Sequence, residues 1–299
     1  MGARYLSIAC AALLMAGPAV AQDRGRPKIK VVATFSILAD IARNVGGDRI
    51  EVASLVGPNG DVHVFTPTPA DAKAIAAAEI VVENGLGLEG WIERLVNASG
   101  ARAAVVVASA GIKSRLADAD HGRADPDPHA WQSVADAQIY VANIRDALVR
   151  ADPAGKAFYQ ASAAAYLARL EALDQDAHNA LGKIPADRRK VITTHNAFGY
   201  FGAAYGIAFL APQGVSTESE PSARDVATII TLIKVEKISA IFLENVADPR
   251  LLDRIAKETG TKIGGRLYSD ALTDPGGPAS TYIDLIRHNV HQLAAALAD

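Results

Sequence analysis

Apolar residues fall into short continuous runs, separated by segments in which they return every three or four positions. The runs have the length of buried strands and the intervening segments have helical periodicity. Lys28 to Phe35 (KIKVVATF) opens as a strand, and Ser36 to Val45 reads as a helix closed by Gly46-Gly47. Ile50 to Val56 is the next strand, followed by helix Ala70 to Ala78, strand Ile80 to Val82, helix Leu88 to Val96 and strand Ala103 to Val107. A helix over Trp131 to Val149 closes this half. The rhythm resumes with strand Lys190 to Thr194, helix Ala197 to Tyr205, strand Ile207 to Ala211, helix Pro221 to Ile233 and strand Ala240 to Leu243. Helix Pro249 to Thr259, strand Ile263 to Tyr268 and helix Pro278 to Leu297 complete it. Strands alternating with helices predict parallel sheets, whose natural ligand platform is the loops at the carboxyl ends of the strands.

Between the halves lies a long helical segment. Asp152-Pro153 supplies an N-cap and a first-position proline, and Gly182 and Pro185 end it. Phe158, Tyr166, Leu170, Leu173, Ala177 and Leu181 fall on one face, with Ser162 in the one gap. About 30 residues make a rod of roughly 45 Å, long enough to cross from one lobe to another. The expected fold is therefore α/β: two α/β lobes with parallel sheets joined by one long helix. The expected divisions are a signal peptide over 1–21, an N-terminal lobe over 22–150, the linking helix over 151–185 and a C-terminal lobe over 186–299. No repeat of fixed short period is present. A rod of this length should restrict hinge closure, so lobe motion is expected to be small.

The N-terminus reads as a processing signal. Arg4 precedes the apolar Tyr5 to Met15, Gly17-Pro18 breaks the helix, and Ala19-Val20-Ala21 has the small-x-small form of a cleavage site, with a mature start near Gln22. Cys10 is the single cysteine and lies inside the apolar run, too early for a lipid anchor. An exported, non-lipidated periplasmic chain is expected. Without thiolates, any metal chemistry must use His, Asp and Glu. No later segment is apolar for long enough to span a bilayer, since Lys234, Glu236 and Lys237 interrupt Ile229 to Phe242. A soluble mature protein follows as an expectation. A net charge of −3 with no dominant basic patch argues against nucleic-acid or anionic-membrane partners.

Gly111 to Pro128 breaks the periodic pattern and holds Asp118, Asp120, His121, Asp125 and Asp127; it reads as an acidic loop. Four stretches carry candidate chemistry. In Gly57 to Pro69 a turn of Pro58, Asn59 and Gly60 leads to His63, and Pro67 and Pro69 stiffen the exit. An imidazole held there presents a metal ligand well; the plain alternative is a surface-loop histidine. Asp125 to Trp131 puts His129 at the mouth of a helix, Val191 to Phe201 puts His195 at a strand end, and Leu267 to Leu272 puts Asp270 after the last strand. Periodicity does not select these residues from seven histidines and the many acids.

A resemblance does. The chain resembles the metal-binding solute receptors of zinc and manganese ABC importers, the TroA/ZnuA-like family, over essentially the whole mature length. The family's D-x-H-x-(F/Y)-x-P-x-P loop is similar to Asp61-Val62-His63-Val64-Phe65 with Pro67 and Pro69. D-P-H-x-W stands as Asp127 to Trp131, and H-x-A-F-x-Y-F as His195 to Phe201. Glu220-Pro221-Ser222, Phe242-Leu243-Glu244-Asn245 and the Leu-Tyr-x-Asp ending at Asp270 are also family-like.

The resemblance implies His63, His129, His195 and Asp270 as metal ligands, the first two from the first lobe and the others from the second, with the metal in the cleft between lobes. Three imidazoles and a carboxylate suit Zn(2+), and manganese members typically carry a glutamate where His195 stands. The implied function is a high-affinity periplasmic zinc receptor, a monomer that serves an ABC permease and its ATPase in the inner membrane, with a periplasmic metallochaperone as a further partner. Manganese is the alternative cargo. Zinc members often have a long histidine-rich loop before D-P-H; here it is short and acidic, with only His121, so a weak capture role or a plain solvated loop is left for it.

Other residues have plainer readings. His288 and His291 sit three apart on the last helix, a spacing that suits a shared ligand or a solvated pair. His178 reads as a surface residue, Glu244 as a residue orienting His195 or His63 or a plain strand-end acid, and Trp131 as a packing anchor. Glu220-Pro221 reads as a helix start. A mononuclear zinc hydrolase would keep an open coordination position and a general base; no H-E-x-x-H, G-x-S-x-G or cysteine nucleophile is present. A metal-independent adhesin would not need all four donors.

Overall fold

The structure, a computed structural model, describes residues 27–116 and 126–298. The predicted signal segment and Asp118, Asp120, His121 and Asp125 of the acidic loop lie outside the described residues.

The first half folds as β1 (Ile29–Phe35), β2 (Ile50–Val56), β3 (Ile80–Glu83) and β4 (Ala104–Val107), all parallel, in the order β2-β1-β3-β4. The second half repeats that arrangement with β5 (Lys190–Ile192), β6 (Ala208–Leu210), β7 (Ala240–Glu244) and β8 (Lys262–Leu267), in the order β6-β5-β7-β8. Each half is thus an α/β lobe around a four-stranded parallel sheet. β1 is buried at every position but Lys30, as expected for a strand covered by helices on both faces.

Helices α1 (Ser36–Gly46), α2 (Pro69–Ala76), α3 (Ile92–Ser99) and α4 (Val134–Ala151) belong to the first lobe. The rod α5 (Lys156–Leu181) links it to α6 (Gly199–Tyr205), α7 (Ala223–Glu236), α8 (Arg250–Thr259) and α9 (Tyr282–Leu297). At 26 residues α5 is roughly 39 Å long.

The helices expected from Trp131 and Pro278 begin at Val134 and Tyr282, each behind a side-chain N-cap, Ser133 and Thr281. Three further local expectations need correction. The inward face of α5 begins with Tyr159 and Ala163, not Phe158 and Ser162, and continues through Tyr166, Leu170, Leu173, Ala177 and Leu181. Phe158 is 41% exposed. Both phases satisfy the three- and four-residue steps, and a polar anchor decides between them. Asp152 caps the 3-10 turn Pro153–Gly155, and its Oδ2 accepts from Tyr159 Oη at 3.0 Å and from Arg49 Nη2 at 2.7 Å. Tyr159 is thereby turned inward. The helix expected to start at Leu88 starts at Ile92, because Gly85, Leu86 and Gly87 all take positive φ and hold the chain in a loop. Pro221 precedes α7 instead of opening it. Ser222 is the N-cap and forms a capping box with Asp225.

The main hydrophobic core is continuous across both lobes and runs along α4, α5 and α9, while a smaller cluster around Ile192, Ile233 and Leu252 lies in the second lobe. Hydrogen bonds sew the seam. Trp131 Nε1 and Gln132 Nε2 both donate to Ser269 O, at 2.9 and 2.6 Å. Leu272 N donates to Ser36 Oγ at 3.0 Å, and Tyr282 N to Asp40 Oδ2 at 2.9 Å.

The Arg49–Asp152 pair fixes the start of α5 on the first lobe, with Asp152 only 2% exposed. Asp152→Ala should cost about 2–3 kcal/mol in urea unfolding, below the range for a fully buried pair because Arg49 reaches solvent. A loss under about 0.5 kcal/mol would show that the pair anchors nothing.

Candidate metal centre

His63, His195 and Asp270 stand on loops just beyond the carboxyl ends of β2, β5 and β8, and His129 stands at the start of the 3-10 turn that leads into α4. His63 follows β2 through a turn closed by Gly60 N donating to Gly57 O at 3.2 Å. Asn59, at φ 56°, takes the left-handed conformation that asparagine tolerates, and its N–H donates across the seam to Leu272 O at 2.8 Å. Asp61 then accepts from His63 N at 2.9 Å through Oδ1 and from Thr217 Oγ1 of the second lobe at 2.6 Å through Oδ2. Trp91 Nε1 donates to Val62 O at 3.3 Å, and its ring packs on Phe65 with centroids 4.9 Å apart.

His129 ends the Asp127-Pro128 turn. Asp127 Oδ1 accepts from His129 N at 3.0 Å and lies 2.8 Å from His129 Nδ1. A carboxylate at Nδ1 keeps the proton there and leaves the Nε2 lone pair free. Trp131 is wholly buried, its ring centroid 5.2 Å from that of His129, so it is the packing anchor expected of it.

His195 leaves β5 in the same manner. Glu244, the last residue of β7, accepts from Thr194 N at 2.7 Å and His195 N at 2.9 Å through Oε1. Its Oε2 lies 2.7 Å from His195 Nδ1. Of the roles considered for Glu244, orientation of His195 is the one the geometry gives. Asp270 is presented by a clamped strand end: Tyr268 N donates to Asn289 Oδ1 at 2.9 Å, and Asn289 Nδ2 donates to Tyr268 O at 2.8 Å.

These loops bring the four side chains together, with one donor atom from each lying within 4.8 Å of all the others. His195 Nε2 is 3.1 Å and His63 Nε2 3.5 Å from Asp270 Oδ2, and His129 Nε2 is 3.6 Å from Oδ1. The Nε2 atoms of His63 and His129 are 3.3 Å apart. Donors about 2.0–2.1 Å from one tetrahedral ion stand about 3.3–3.4 Å from each other, so these spacings suit a single small cation.

His129, His195 and Asp270 have no solvent exposure, and neither oxygen of Asp270 receives an aligned hydrogen bond from any described residue. A bare buried carboxylate calls for a cation. In the metal-free chain that cation is the His195 ring. Burial pushes its pKa down, but the Glu244 and Asp270 carboxylates outweigh this and hold it well above the ordinary value. Burial likewise pushes Asp270 up, but the facing His195 ring outweighs this and brings it well below the usual carboxylate range.

His63, 8% exposed, is the donor nearest solvent. It opens on a groove of about 620 Å³ lined by Phe65, Leu88, Trp91, Val215 and Glu218. The remaining described histidines are elsewhere. His288 Nε2 lies 3.0 Å from Arg266 O and its ring packs on Tyr268, so it does not pair with the exposed His291. His178 is at the surface beside Asp174 and Tyr205. Sequence reasoning did not assign Asp127 its place behind His129; the only signal was a carboxylate two residues ahead of a candidate ligand.

Fold and donor set define a two-lobed receptor for a divalent metal ion. Residues 31–296 match the family described as zinc-uptake complex component A, periplasmic. The chain is 33% identical over 289 residues to the manganese-binding lipoprotein MntA of Halalkalibacterium halodurans, covering 95% of each. It is 36% identical over 267 residues to the iron-binding protein YfeA of Yersinia pestis, covering 89% of this chain and 86% of that one. The periplasmic zinc-binding protein TroA of Treponema pallidum superposes with a TM-score of 0.86 at 30% identity, covering 91% of this chain and all of that one. The chain belongs to this ZnuA/TroA family of solute-binding receptors. It is a metal-binding receptor of an ABC importer, in a periplasmic or extracellular role, and not an enzyme.

Glu244→Gln keeps the shape behind His195 and removes the charge. Metal affinity should fall about 10–100-fold, read by competition with a chelator. Unchanged affinity would show that Glu244 does not orient the ring for binding.

Proposed function

We propose that His63, His129, His195 and Asp270 together bind zinc, which the protein delivers to its membrane permease and the attached ATPase. The observation that carries this reading is the donor set: three imidazole nitrogens and one carboxylate, all buried and within 4.8 Å of one another. Imidazole nitrogen is a borderline-soft donor that suits zinc, and four protein donors close a tetrahedral shell without leaving a position for a reactive water. Such a shell sequesters and releases; it does not catalyse.

Manganese is the second reading, and two observations favour it. Both oxygens of Asp270 face the imidazoles, offering a fifth donor to an ion that prefers oxygen and higher coordination. Relatives of similar identity are named for manganese and iron.

Capture and release follow from the same arrangement. The ion enters past His63 and replaces the proton on His195. Affinity therefore falls as pH falls, by about tenfold per unit for each proton displaced. Because two donors belong to each lobe, loosening the seam separates the pairs and frees the ion. The proposal includes export without a lipid anchor, supported by Cys10 lying inside the apolar run, although the relative MntA is named a lipoprotein.

Mass spectrometry of the native protein from a periplasmic extract, with chelator titration, tests these points together. The expected result is one zinc per chain, a mass starting near Gln22 without lipid, and affinity weakened at least about 100-fold by His195→Ala. Bound manganese would replace zinc as the cargo. A lipid mass would remove the free-export claim, and affinity indifferent to His195→Ala would remove the site.

A further inference from the structure

Behind the carboxylates that touch the donor histidines, Asn84 reaches His129 by a constrained path. It follows β3 directly and has no exposure to solvent. Its Nδ2 donates to Pro128 O, the carbonyl joined to His129, at 2.9 Å, and to Gly85 O at 2.9 Å. Its Oδ1 accepts from the hydroxyl of Tyr140, which is also buried. Both amide protons and the oxygen are therefore used, and only one orientation works. Turning the amide over would set its oxygen against two carbonyl oxygens.

The backbone of Asn84 is equally fixed. Its N–H donates to Glu89 Oε1 at 2.7 Å, and its carbonyl accepts from Ser109 Oγ at 2.6 Å. Glu89 in turn accepts from Thr34 Oγ1 at 2.7 Å and from Gly85 N at 3.1 Å. Asn84 is thus a rigid post built on β1, β3, α4 and the loop after β4, with one free arm that ends on Pro128.

The Asp127 carboxylate sets the rotation of the His129 ring through Nδ1 but lies in the same short turn, so it cannot fix where that turn sits. Proline has no N–H, and Pro128 O is that residue's only hydrogen-bonding group. Apart from the local bond from Ala130 N at 2.9 Å, Asn84 Nδ2 is, among the described residues, the donor that meets it. We infer that Asn84 is a positioning residue for metal capture, holding the Pro128–His129 peptide where His129 Nε2 can meet the other three donors. This inference rests on the proposed ligand set.

Asn84→Asp is isosteric, but it puts a carboxylate oxygen against the carbonyls of Gly85 and Pro128 and should push the turn away. Zinc affinity, measured by competition with a chelating dye, should fall about 10–100-fold. The same substitution is then made in a His129→Ala chain. If Asn84 acts through His129, the second loss should shrink to less than about threefold, because the ring it positions is gone. An equal loss in both backgrounds, or no loss in either, overturns the inference; a general folding defect would give the equal loss. Should Asn84→Asp fail to fold, Tyr140→Phe removes the hydroxyl that keys the amide and is judged by the same cycle. If His129→Ala alone leaves zinc affinity unchanged, the ligand set itself is wrong and the inference falls with it. A weakened His129→Ala chain with equal Asn84→Asp losses would sink this inference alone.

Discussion

The carboxylate of Asp270 is sealed in the seam between two lobes with no solvent and no aligned hydrogen bond to either oxygen. Isolated, such a charge would cost several kcal/mol. It is tolerated because three imidazoles face it, and because the Glu244 and Asp270 carboxylates on either side of His195 hold that ring's pKa well above the ordinary value. On the proposed ligand set, a divalent ion would meet the same need with more charge and shorter contacts. Metal binding is, in this view, the replacement of one buried cation by another.

That constraint explains the care spent on the loops. Asp61, Asp127 and Glu244 each accept a backbone N–H from the residue that carries a donor imidazole. For His129 and His195 the same carboxylate also faces Nδ1, which turns Nε2 inward. The seam repeats the principle at larger scale. Ser269 O, next to Asp270, receives both Trp131 and Gln132, close behind His129, so two donors from different lobes share a short rigid path. The rod α5 and the continuous core limit how far the lobes can part, and the seam near His63 is held by Thr217 on Asp61.

Much of the fold was legible because runs such as KIKVVATF have the short length and β-branched content of buried strands, and because helical periodicity fills the gaps between them. The errors have local causes. Leu86 takes a positive φ that no propensity anticipates for leucine, which delayed α3. Phe158 and Tyr159 fit the helical step equally well, and the capping Asp152 with the distant Arg49 decides which turns inward. The site was less legible. His63 and His129 are 66 positions apart, and no spacing rule joins them; likeness to a known family did. Asn84 and Asp127 gave no periodic signal, since their roles depend on which carbonyl or ring the fold sets before them.

Anomalous diffraction from crystals grown with zinc tests the central claim most directly. One peak bonded to His63 Nε2, His129 Nε2, His195 Nε2 and the Asp270 carboxylate, with Glu244 and Asp127 still behind their imidazoles, is the predicted result. A peak elsewhere, or one that leaves Asp270 unbound, would contradict the account.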